Sequence, residues 1–142
     1  YIARLVSPIK LLANVDASAS SQEMLGMLEE VTSLSEKITL NKETDVSKRI
    51  PSFEVNREID ATGITFAGIP SGHEFTSFVL ALLQAGGHPL KLDAEKIEQI
   101  KNIQGKFHFE TYISLSCICL FIKHLNMILN NTCIFIFVCF LI

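Results

Sequence analysis

Apolar and polar positions alternate along this chain in two different periods, and the changes of period mark the elements. Pro8 to Asp16 is a short apolar run closed by a turn signal, which predicts a buried strand. Ser18 to Ser21 follows, and Ser20 or Ser21 with Glu23 behind it predicts a helix cap. Met24, Leu25, Leu28, Val31 and Leu34 then recur at helical spacing, so an amphipathic helix is expected over 21–35. Lys37 to Leu40 predicts a second short strand, and 41–49 a polar loop. Stretches 52–56 and 63–67 alternate and are rich in β-formers, which predicts an antiparallel hairpin. Phe75, Phe78, Val79, Leu82 and Leu83 form one apolar helical stripe that reads as core. Gly86-Gly87 ends that helix and Pro89 prevents its resumption.

The order is strand, helix, strand, Pro-led hairpin, helix. A helix crossover makes the first two strands parallel, and the hairpin completes a four-stranded mixed sheet with flanking helices. That is an α/β layout of the thioredoxin-like kind. The chain then begins again. Asp93 to Ile103 predicts a helix capped by Asp93, and Lys106 to Ser116 an alternating strand like the first one. This reads as an internal repeat of the fold's opening, with Cys117 where the first copy has Ala17-Ser18. The expected division is therefore 1–91, a first thioredoxin-like fold, and 92–142, an incomplete second one.

Composition sharpens the division. The chain has 142 residues, 49% hydrophobic and 19% charged, which argues against disorder. Net charge is −3 with no basic stripe, so nucleic acid is not an expected partner. All 15 acids and 11 of the 12 bases lie in 1–110, whereas 111–142 hold all 4 cysteines and one charge, Lys123. Cysteines crowded at one end do not resemble a secreted disulfide framework, and a reducing, cytoplasmic setting is expected. Tyr1 in place of Met points to residues missing upstream. Cys133 to Ile142 is an apolar run of ten, short of the roughly 20 residues a membrane helix needs, and it fits a buried strand in type.

Few residues carry candidate chemistry. His73, His88, His108 and His124 do not cluster in sequence. A zinc site from Cys117, Cys119, His124 and Cys133 would match no common zinc spacing, and no metal is expected. No carboxylate pair or Ser–His pair has catalytic spacing, and Glu29, Glu30 and Glu36 read as a solvated face. Cys117 and Cys119 remain, at a strand-to-helix turn where the helix dipole favours a thiolate.

The segments PIKLLANVDASA (8–19), KRIPSF (48–53), FAGIPSGHEFTSFVLALLQAGGHP (66–89) and FETYISLSC (109–117) closely resemble the N-terminal region of the family formed by the F component of alkyl hydroperoxide reductase. The resemblance covers about residues 1–117. It implies two tandem thioredoxin-like folds in a flavoprotein of the thioredoxin reductase type. The first fold lacks redox cysteines, and the second carries a Cys-x-x-Cys pair. That pair takes electrons from the flavoprotein part, fed by NADH through FAD, and passes them to a peroxiredoxin in hydroperoxide detoxification. The resemblance makes Cys117 the attacking residue, Cys119 the resolving residue, and Pro51 a structural cis-proline candidate. The chain contains no GxGxxG, so no cofactor is expected within it.

The sequence departs from that pattern at the redox turn. Ser116-Cys117-Ile118-Cys119-Leu120 lacks one spacer residue and the proline of Ser-Cys-x-x-Cys-Pro. A Cys-x-Cys ring can close, but under strain that makes its disulfide more oxidising. The departure, and the tail from Cys133, predict a truncated or frame-damaged product. A redox-inactive docking module is the alternative function.

Overall fold

The computed structural model describes residues 5–89, 93–102, 107–113 and 133–139. The elements run β1 (Ile9–Asn14), α1 (Ala19–Ser33), β2 (Ile38–Glu43), β3 (Ser52–Arg57), β4 (Ile64–Ala67), α2 (His73–Ala85), α3 (Ala94–Lys101), β5 (Phe107–Ile113) and β6 (Cys133–Cys139). The expected four-stranded mixed sheet is present in the order β2-β1-β3-β4. β1 and β2 are parallel, while β1–β3 and β3–β4 are antiparallel. The second unit continues the same sheet: β6 pairs parallel with β4, and β5 parallel with β6, giving β2-β1-β3-β4-β6-β5. β5 and β6 are parallel, as β1 and β2 are.

One face of the sheet carries the core. Ile9, Leu11 and Ala13 alternate into it from β1, Phe53 and Val55 from β3, and Ile64 and Phe66 from β4. Met24, Leu28 and Val31 of α1 and Phe78, Leu82 and Leu83 of α2 close over them as one cluster. At its centre the Phe53 and Phe66 rings stack at 5.1 Å, and Phe78 meets Phe53 edge-on at 5.0 Å. Phe75, expected within the core stripe, is 38% exposed and meets the Phe78 ring edge-on at 5.9 Å. It lies in the first turn of α2, at the margin of the packed layer.

The start of α1 and the end of β2 differ from expectation for local reasons. α1 is capped by Ser18, not by Ser20 or Ser21: the Ser18 hydroxyl accepts from the Ser21 amide, so the helix starts two residues early. β2 runs on through Asn41-Lys42-Glu43, which the polar composition assigns to loop. As an edge strand, β2 needs ladder bonds on one side only, and its charged residues stay at least partly exposed.

The end of α2 follows the Gly-Gly reading. The Gly87 amide donates to the Gln84 carbonyl and the His88 amide to the Leu83 carbonyl, with Gly87 at φ +84°. Gly86 has an ordinary φ of −78° but close neighbours: a Cβ there would meet Leu5 Cδ2 and lie 3.1 Å from the Leu82 carbonyl oxygen. Its carbonyl accepts from the Val6 and Ser7 amides, both at 3.0 Å, tying the N-terminal segment to the helix end.

Removing the central ring tests this account of the core. Phe53 is fully buried between two aromatic partners. Phe53→Ala is expected to cost about 3–5 kcal/mol, read from the urea midpoint at unchanged m-value.

Candidate functional site

The C-terminal end of β1 lies beside the start of β3, with Asn14 opposite Ser52. In the first unit the turn after β1 holds Asp16, Ser18 and Ser21, with no cysteine. The Asp16 carboxylate accepts from the Ser18 amide at 3.0 Å, from the Ser18 hydroxyl, and from the Ser21 hydroxyl at 2.6 Å. Ser18 Oγ lies 3.0 Å from Ser21 Oγ and 3.2 Å from Ser20 Oγ. Hydrogen bonds from Ser18 and then Ser21 pull the Asp16 pKa down from 3.8 to about 2. The site is thus a hydroxyl–carboxylate cap: it holds the helix start and offers no nucleophile activated by a base.

Asn14 is buried beside this turn, and its side chain organises the opposite loop. Its Nδ2 donates to the Asp45 carbonyl at 3.0 Å and to the Arg49 carbonyl at 3.1 Å, and its Oδ1 accepts from the Asp45 amide at 2.7 Å. Ser52 Oγ donates to the same Arg49 carbonyl at 2.6 Å. The loop delivers the chain to Pro51. The Ile50–Pro51 bond is cis, and the Pro51 carbonyl accepts from the Gly68 amide at 3.0 Å.

Under this loop, on the sheet face opposite the core, lies a groove of about 320 Å³. Charged pairs rim it. Lys48 Nζ bonds Glu43 at 2.9 Å and Glu54 at 3.2 Å, and these two carboxylates raise the Lys48 pKa, Glu43 first. The Ser47 hydroxyl and amide hold the Asp45 pKa below the usual carboxylate range. Arg49 reaches across the groove to Glu110 of β5 at 3.2 Å, and Glu110 also pairs with His108 Nε2 at 3.1 Å. Sequence reading missed Asn14, Arg49 and Glu110. Asn14 sits inside an apolar run and looks like a strand terminator, while Arg49 and Glu110 are separated by 61 positions.

Cys117, Cys119 and His124 lie outside the described residues, and Cys133 begins β6. Among the described residues no group of His, Cys, Asp or Glu could hold a metal ion, and no helix is long and apolar enough to cross a membrane. The register of β1 on β3, with Asn14 opposite Ser52, places the Asp16 turn and Pro51 at the same end of the sheet.

A scan against protein-family models found no match. The chain is 52% identical over 117 residues to the F component of alkyl hydroperoxide reductase from Pseudomonas aeruginosa, covering 82% of this chain and 22% of that protein. It is 47% identical over 117 residues to the same-named protein of Escherichia coli, with the same coverage of each chain. A Bacillus subtilis relative named NADH dehydrogenase is 48% identical over 117 residues, 82% of this chain and 23% of that protein. The chain therefore spans about a fifth of the length of these relatives. Among solved structures, the N-terminal domain of the Enterococcus faecalis alkyl hydroperoxide reductase superposes with TM-score 0.86 at 29% identity, over 96% of this chain and 73% of that one. A protein disulfide oxidoreductase from Aeropyrum pernix shares the fold, with TM-score 0.73 at 19% identity over 94% of this chain and 69% of that one.

Two outcomes test the site. Asn14→Ala leaves the Asp45 amide without its acceptor, while the Asp45 and Arg49 carbonyls keep the Lys48 amide and the Ser52 hydroxyl; an unsatisfied donor costs about 1–3 kcal/mol, so a loss in that range is expected in chemical denaturation. The acid limb tests Asp16. Its folded pKa is depressed, so its contribution is present above about 4 and is lost as pH falls from 3.8 towards about 2. Asp16→Asn should flatten that part of the stability–pH profile and leave the profile at neutral pH parallel to the parent's.

Proposed function

Since the chain belongs to the family formed by the F component of alkyl hydroperoxide reductase and matches its N-terminal region, we propose that it serves thiol–disulfide electron transfer in hydroperoxide detoxification. The observation that carries this reading is the 52% identity over 117 residues, a stretch equal to 82% of the chain. Electrons arrive from a flavoprotein part of the same reductase, leave to a peroxiredoxin, and the setting is the reducing cytoplasm. The NADH and FAD of the parent belong to that flavoprotein part, since this sequence has no GxGxxG cradle for a dinucleotide.

Cys117 and Cys119 are the proposed pair. The Cys117 thiolate attacks a disulfide sulfur of the partner. One partner sulfur leaves as a thiolate and a mixed disulfide forms. Cys119, deprotonated, then attacks Cys117 Sγ, releases the partner as a dithiol after proton uptake, and leaves Cys117–Cys119 oxidised. Two electrons have moved to the partner, and the flavoprotein part restores the dithiol.

The internal repeat supports the assignment of Cys117. β1 ends at Asn14 and Ser18 follows four residues on. β5 ends at Ile113 and Cys117 also follows four residues on. Ser18 is the helix N-cap, where free backbone amides converge. In that first turn the side chain at i contacts those at i+2 and i+3, at 3.2 and 3.0 Å. The same turn geometry would let one spacer residue suffice for Cys117 and Cys119.

Equilibration in glutathione buffers of stepped potential, followed by alkylation and mass spectrometry, tests the pair. A two-electron couple confined to Cys117 and Cys119, absent from Cys117→Ser, is expected. Both residues alkylating at every potential would leave docking without electron exchange.

A further inference from the structure

We propose that the Arg49–Glu110 ion pair is the pin that sets the register of the β5–β6 pair against the first unit. The need for a pin is written in β6. Cys133-Ile-Phe-Ile-Phe-Val-Cys139 is apolar at odd and even positions alike. Register is enforced where a slip would move polar residues into a core, and this strand has none to move. Its partners do little to help. β6 is paired in parallel on both sides, and parallel ladders have evenly spaced bonds that a shifted strand can remake. β5 alternates, with His108 and Glu110 on one face, which selects a face but tolerates a slip of two residues.

Arg49 supplies the missing reference point. It belongs to the first unit, and its backbone is held by Asn14 of β1 and Ser52 of β3 through its carbonyl. Its guanidinium reaches Glu110 Oε2 at 3.2 Å, across the positions of β4 and β6 in the sheet. A charged pair of this kind acts at one alignment only. A two-residue slip of β5 moves the carboxylate by about 7 Å, at roughly 3.3 Å per residue, beyond hydrogen-bond reach. The pair is partly exposed, at 41% and 29%, so its contribution is to specificity among alignments more than to total stability.

Backbone NMR with hydrogen exchange tests the pin. In the parent chain, interstrand contacts at Thr65–Ile136 and Phe66–Phe137 are expected as a single set. Arg49→Ala and the milder Glu110→Gln should each add a second set displaced along β6. Both should lower β5 and β6 amide protection about two- to fivefold while β1 and β3 protection stays unchanged. The charge-reversed double variant Arg49→Glu with Glu110→Arg should restore the single set. A single unshifted set in both single variants, or a uniform loss of protection across all strands that the double variant does not reverse, overturns the proposal.

Discussion

The Asn14 side chain is the constraint on which the far side of the molecule depends. β1 is the central strand of the first unit, and its last side chain turns away from the core into a buried position under the 45–49 loop. Three hydrogen bonds of 2.7–3.1 Å tie that loop to β1, at Asp45 and at Arg49. The approach to Pro51, the placing of Lys48 between Glu43 and Glu54, and the reach of Arg49 to Glu110 all start from there. A primary amide suits the position because it both donates and accepts, and so matches two carbonyls and one amide at once. An aspartate there would face two carbonyl oxygens with no proton to give.

Side chains close the start of α1. In the first unit Asp16, Ser18 and Ser21 turn the free amides of α1 into a hydroxyl–carboxylate cap. That arrangement satisfies the helix end and keeps a carboxylate charged well below its ordinary pKa. In the proposed function Cys117 takes the corresponding place, where converging amides of the kind a serine uses for capping would favour a thiolate.

The charged rim of the groove illustrates a general limit on what ion pairs do. Glu43, Lys48, Glu54, Arg49 and Glu110 are all partly exposed, and such pairs contribute little stability one by one. Their geometry still matters because they sit on different strands and on one loop. The apolar core, by contrast, lies on the other face and holds α1 and α2. Stability and alignment are thereby assigned to opposite sides of one sheet.

Much of the fold was legible along the chain. Helical spacing from Met24 to Val31, the alternation around Phe53 and Phe66, and the Gly86-Gly87 stop each report local geometry, because a side chain's face depends only on its neighbours in sequence; Leu34, expected on the same face, is the exposed C-cap of α1. The cap shifted to Ser18 and β2 lengthened to Glu43 because hydrogen bonds compete at element ends, where pattern is weakest. Tertiary structure alone decided that β5 and β6 extend the sheet of β1 to β4, that Asn14 is a buried hub, and that Arg49 meets Glu110. The Asn14–Asp45 and Arg49–Glu110 contacts join residues 31 and 61 positions apart. Periodicity carries no information about such pairs, since their meeting is set by strand order and packing.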